Sequence, residues 1–138
     1  MRFPLALPLV VPIVCLPGCV VAAVAVGAAA GVVVHETVIA EDTVEAEIAR
    51  PADKVFAECV DGMREMSTEA VAIVSAQQRV SGKYDGADVV VEVRTRGGDH
   101  CLLRVKATKL EFAALDIARD VQRRLQERLQ RAASSPKK

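Results

Sequence analysis

The side chains best suited to chemistry in this chain are its four cysteines, Cys15, Cys19, Cys59 and Cys101. A thiolate is intrinsically nucleophilic, so each is a candidate for alkylation, metal ligation or disulfide exchange. Their surroundings separate these options. Cys19 ends the tetrapeptide Leu16-Pro17-Gly18-Cys19 inside an uncharged segment. Cys59 and Cys101 fall on inward positions of a predicted helix and a predicted strand. Two readings of that pair stay open. A disulfide would close a loop of about 40 residues and contribute about 3–4 kcal/mol in the chain-entropy model. Two buried free thiols, packing as small hydrophobes, rank ahead, because core cysteines rarely fall within the ~7 Å that a bridge requires.

The remaining candidates are few. His35 and His100 are the histidines, and His100 lies between Asp99 and Cys101. Neighbouring strand residues point to opposite faces, so His100 and Cys101 do not form a nucleophile–base pair. "GKYDG", Gly82 to Gly86, reads as a turn with a solvated lysine rather than a phosphate cradle. Glu41, Glu45 and Glu47 share a face that could take a cation, although outward charged faces are ordinarily just wet. There is no CxxC, HExxH, glycine-rich phosphate loop or Ser-His-Asp layout. No catalytic residue, metal site or cofactor is therefore predicted, and the reading is a non-enzyme.

The elements that carry these residues fall into two parts of unlike composition. Phe3 to Val34 contains no charged side chain, whereas all 18 acidic residues lie beyond position 35. The 138 residues are 51% hydrophobic with no formal net charge, a value inflated by this N-terminal run. With no basic field, no Trp and a single Tyr, the chain lacks both the electrostatics and the stacking platforms of a nucleic-acid binder.

Met1 and Arg2 followed by the apolar run Phe3–Leu16 have the proportions of a signal peptide, whose apolar region spans ~7–15 residues. Pro4, Pro8 and Pro12 would each remove a backbone donor from a helix there, which disfavours a stable membrane span. The rival is a single-pass anchor through Val20–Val34, which is shorter than the ~20 residues a helical span needs unless it borrows from Ile13 onward. In either case Ala23, Gly27 and Gly31 show the small-xxx-small spacing of close helix packing, with a flexible small-residue linker as the plainer alternative.

"LPGC", Leu16 to Cys19, resembles the lipobox of bacterial lipoprotein signal peptides. Leu16, Gly18 and Cys19 match that pattern, while Pro17 stands where a small residue such as Ala or Ser is usual. The resemblance implies cleavage before Cys19 and attachment of diacylglycerol to its thiol. Several acyl chains at ~0.8 kcal/mol per buried methylene would hold the protein firmly to a bilayer. Val20 after the cysteine, rather than Asp, resembles the sorting pattern for the outer membrane of a Gram-negative cell.

Beyond Glu36 the periodicities are those of a small soluble domain. Val38, Ala40, Val44, Ala46 and Ile48 alternate as one strand. Pro51 opens an amphipathic helix on which Val55, Phe56, Cys59, Val60, Met63 and Met66 recur every three or four residues, with Asp53 near the positive end of the dipole. Val71–Gly86 reads as a second strand, and Ala87–Arg96 and His100–Lys109 as a hairpin around Gly97–Asp99. A final helix, Phe112 to Arg131, places Ala114, Ile117, Ala118, Val121, Leu125 and Leu129 on one stripe. The expected fold is α+β: an antiparallel four-stranded sheet with both helices on one face, in the order strand-helix-strand-strand-strand-helix. The expected boundaries are a signal peptide at 1–18, an apolar membrane-proximal tether at 19–36, the domain at 37–131 and a disordered tail at 132–138.

This layout, with "RPADKVFAECVDGMREM", "SGKYDG" and "IARDVQRRLQERL" in their places, resembles small bacterial lipoproteins grouped as a domain of unknown function. That resemblance implies export to the cell envelope, membrane attachment facing the periplasm, and no assigned activity. The expectation is a lipid-anchored structural or protein-interaction module whose partner is an envelope protein or a second copy of itself. The alternatives are a membrane anchor self-associating through its glycine-containing helix and, last, an envelope enzyme or small-ligand binder.

Overall fold

The computed structural model describes residues 33–135. Leu16, Pro17, Gly18, Cys19, Ala23, Gly27 and Gly31 lie outside the described residues. The fold is α+β, with one antiparallel sheet and two helices. The strands are β1 (Val33–Ala40), β2 (Thr43–Ile48), β3 (Ala72–Val74), β4 (Arg79–Tyr84), β5 (Ala87–Gly97), β6 (His100–Lys109) and β7 (Phe112–Ala113). The helices are α1 (Ala52–Met66) and α2 (Leu115–Ser134). The sheet runs β1-β2-β6-β5-β4-β3, with β7 paired to the end of β6.

Seven strands stand where four were expected, and each extra strand has a local cause. The single strand expected up to Ile48 is a hairpin of β1 and β2, reversed at Glu41–Asp42. Val38 and Val44 are cross-strand partners, so an even-numbered apolar pattern carries on across the reversal. The one break is Asp42, polar where alternation calls for an apolar residue. β1 also begins at Val33, inside the stretch expected as tether, because its β-branched residues pair back to Ile48. The strand expected over Val71–Gly86 is interrupted by a 3-10 turn at Ser75–Gln77, closed by Gln78 in the left-handed region at φ 47°.

At the far end Phe112 and Ala113 are β7 rather than the first turn of a helix. The chain reverses at Leu110 and Glu111, both at positive φ, and Ala113 then pairs with Thr108. α2 begins at Leu115 and continues to Ser134, three residues into the stretch expected as tail.

The core lies between the sheet and the two helices. Val44, Val105, Val91 and Val80 are successive cross-strand neighbours on four strands, and all are fully buried. Val55, Cys59 and Met63 of α1 and Ala118, Val121, Leu125 and Leu129 of α2 close over them. α1 packs on β4, β5 and β6, and α2 on β6 and β2. Two helices of ~10–12 Å diameter cover about four strands spaced ~4.8 Å apart, so β3 lies outside their cover and β1 is reached at Glu36, which accepts a 3.3 Å hydrogen bond from Gln126 of α2.

The helices approach each other closely at Gly62. A Cβ added there would stand 2.7 Å from Cδ2 of Leu125, so a side chain at this point would collide with the core. Across the same seam Arg128 reaches Glu58 at 3.0 Å and Glu65 at 2.6 Å. Gln122 is fully buried on the sheet-facing side of α2, and neither its Nε2 nor its Oε1 has a hydrogen-bond partner among the described residues.

Candidate functional site: the open face of the sheet

The two inward cysteines are both buried and both free thiols. Cys59 sits mid-way along α1, and Cys101 is the second residue of β6, opposite Ile48 and Thr95. Burial pushes the Cys101 thiol up to about 11, and burial, with Cys101 nearby as a lesser cause, pushes Cys59 higher still. Thiols so far from ionisation are poor nucleophiles, and both serve as core packing. His100 points to the opposite face from Cys101, as alternation requires, and its Nδ1 lies 3.3 Å from Glu47 Oε1.

The side chains with solvent access gather on the sheet face turned away from the helices. The strand register aligns their charges in rows. Arg79, Glu92, Arg104 and Glu45 are successive cross-strand neighbours across β4, β5, β6 and β2. Arg79 pairs with Glu92, which also accepts from Arg94 at 3.0 Å, and Arg104 donates two hydrogen bonds to Glu45 Oε2, at 2.7 and 3.1 Å. Flanking this row, Arg96 meets Glu47 at 3.2 Å, Lys106 meets Asp42 at 3.1 Å and Lys83 meets Asp88 at 3.2 Å. Opposite charges directly across a strand pair contribute ~0.2–1 kcal/mol each, so the rows fix register.

A shallow concavity of about 390 Å³ lies on this face, where Ile39, Ala40 and Thr43 rise beside Val90, Arg104 and Lys106. Its acids are committed to partners. The hydrogen bond from Arg79, reinforced by Arg94, holds the Glu92 carboxyl below its usual range. The Thr43 hydroxyl, with Lys106, does the same for Asp42. Carboxylates held ionised in this way are weak proton acceptors and cannot act as acids near neutral pH. Glu45 and Glu47 of the expected acidic face point into this network and are neutralised by arginine, while Glu41 sits apart in the β1–β2 turn. Among the described residues no group of three or more His, Cys, Asp or Glu side chains is arranged to hold a metal ion.

What this face offers is shape and patterned charge. Sequence reasoning paired the strands that carry Glu92 and Arg104 as one hairpin, but missed Arg79 as the far end of the row, because the 3-10 turn sets β4's register. It also missed Ile39 and Thr43, which a single long strand would have placed elsewhere. Among the described residues no helix is long and apolar enough to cross a membrane. No family model, curated protein or solved structure matches this chain.

Proposed function

We propose that this is a lipid-anchored protein of the bacterial cell envelope, held to the membrane through Cys19, whose α+β domain is a non-catalytic module for structural or protein–protein contact. The observation that carries the reading is Leu16-Pro17-Gly18-Cys19, placed within an uncharged run that precedes a domain rich in charge. The open sheet face supports the second half of it, because its cations and carboxylates bind one another in rows rather than converging on a reacting centre. Facing the periplasm, at the outer membrane in a Gram-negative cell, such a surface would meet a folded partner by complementary charge.

Metabolic labelling with radioactive palmitate tests this. The wild-type chain and Cys15→Ala should both carry label, and Cys19→Ala should carry none. Label on Cys19→Ala equal to wild type, or none on wild type, would overturn the proposal in favour of an uncleaved anchor.

A further inference from the structure

Leu110 and Phe112 are the most exposed large hydrophobic side chains among the described residues, at 84% and 76%. Both belong to the β6–β7 reversal, where Lys109 pairs with Phe112 and the chain turns through Leu110 and Glu111. Those two turn residues hold positive φ, a conformation strained for side chains other than asparagine or aspartate. Exposed apolar surface and backbone strain each cost stability, and neither side chain is packed into the core to offset them. Strain kept at a projecting turn points to a contact made outside the fold.

The size of the tip selects what it touches. At such exposure neither side chain belongs to a concavity that could enclose a small molecule. Even at ~200 Å² each, the two side chains fall well short of the ~1,200–2,000 Å² that a specific protein interface buries. A contact this small is effective against a surface held always within reach, where linkage supplies a high effective concentration. The membrane that holds Cys19 is such a surface. Val33 pairs with Ile48, and Ile48 with Cys101, which sets the start of β1 about 25 Å from Lys109 at ~3.3 Å per residue. The chain between Cys19 and Val33 can span at most ~45–50 Å, so it is long enough for the tip to reach the bilayer.

Charge narrows the lipid. Glu111 lies between the two apolar residues, Asp116 stands in the first turn of α2, and Asp85 holds Lys109 Nζ on its carbonyl at 2.8 Å. These carboxylates oppose an anionic surface and suit the outward ammonium groups of zwitterionic headgroups.

We propose that the Leu110–Phe112 turn is a membrane-contact tip, which seats its two apolar side chains among the headgroups of a zwitterionic bilayer. The proposal rests on the lipid-anchor reading, which supplies the reach.

The chain has no Trp, so Phe112→Trp is a single reporter. The full chain, extracted from the membranes of its expressing cell, is reconstituted in phosphatidylcholine vesicles with brominated acyl chains. Phe112→Trp should float with the vesicles and be quenched several-fold more than Val74→Trp, a reporter at a position 42% exposed on β3. Adding Leu110→Asn, which relieves the turn while removing the apolar side chain, should lower the quenching toward that of Val74→Trp. Phosphatidylglycerol mixed into the vesicles should lower it too, with circular dichroism confirming that each variant is folded. A floating protein whose Phe112→Trp is no more quenched than Val74→Trp, as when the tip serves a partner protein instead, would overturn the proposal. So would quenching indifferent to Leu110→Asn, or undiminished on the anionic vesicles. A chain that does not float overturns the anchor reading and this proposal together.

Discussion

Tyr84 donates a 2.6 Å hydrogen bond from its hydroxyl to Oδ2 of Asp120, tying the end of β4 to the second turn of α2. Arg124 donates to the same carboxylate from the other side: its Nε lies 3.0 Å from Asp120 Oδ2, and its guanidinium sits 5.6 Å from the Tyr84 ring centre. The Tyr84 hydrogen bond, then those from Arg124 and Arg123, bring Asp120 down to about 2, and the same bond raises Tyr84 above its ordinary value. Asp120 is thus more acidic folded than unfolded, where it titrates near ~3.9. Its contribution to stability is present above about pH 4 and fades as pH falls toward 2.

Tyr84→Phe should therefore raise the Asp120 pKa toward its ordinary range, read from its carboxyl shift in an NMR titration. It should destabilise the domain by about 1 kcal/mol at pH 7 in urea unfolding. That difference should shrink as pH falls toward 2, where Asp120 becomes protonated in the wild type and its bond from Tyr84 weakens. An unchanged Asp120 titration would show that the hydrogen bond is not formed.

Gly62→Ala opposes two effects of known sign. Alanine is favoured over glycine in a helix interior by about 1 kcal/mol. The added methyl group, however, would meet Leu125 Cδ2 at 2.7 Å, and Leu125 is 1% exposed with no room to swing away. Overpacking of this kind costs about 1–3 kcal/mol, so the expected outcome is net destabilisation by thermal melting. Adding Leu125→Val should recover part of the loss, a coupling that a change confined to helix propensity would not produce.

Leu110 and Glu111 hold φ angles of 51° and 67° at the β6–β7 reversal, where residues other than glycine, asparagine or aspartate are strained. Leu110 is 84% exposed, so its side chain adds little packing that would compensate. Leu110→Asn with Glu111→Gly should stabilise the domain by about 1–2 kcal/mol and raise the melting temperature by several degrees. A lower melting temperature would mean that the turn is held by something other than its own backbone preference.

Much of this architecture could be read from periodicity, and the misses share a cause. α1 and the β5–β6 hairpin were legible because each has one long, unbroken pattern and, in the hairpin, a Gly97-Gly98 turn. β1 and β2 were merged because Val38 and Val44 stand on the same side of the sheet across a two-residue reversal, so the alternation does not register the turn. β7 was absorbed into α2 because its only turn signal, Leu110-Glu111, is made of residues that rarely form one. On the open face the charges were visible but their partners were not, since Arg104 and Glu45 stand 59 residues apart in sequence and the Arg79–Glu92 pair depends on the register β4 takes after the 3-10 turn. Gly62 gave no periodic signal, as its role is to be absent from a space that Leu125 fills.

The central claim is that Cys19 is the residue through which the protein meets the membrane, and intact mass spectrometry of the chain extracted from the membranes of its expressing cell tests it most directly. The account predicts a polypeptide beginning at Cys19 and carrying the added mass of a diacylglyceryl group. A species that retains Met1 through Gly18 with an unmodified Cys19 would contradict it.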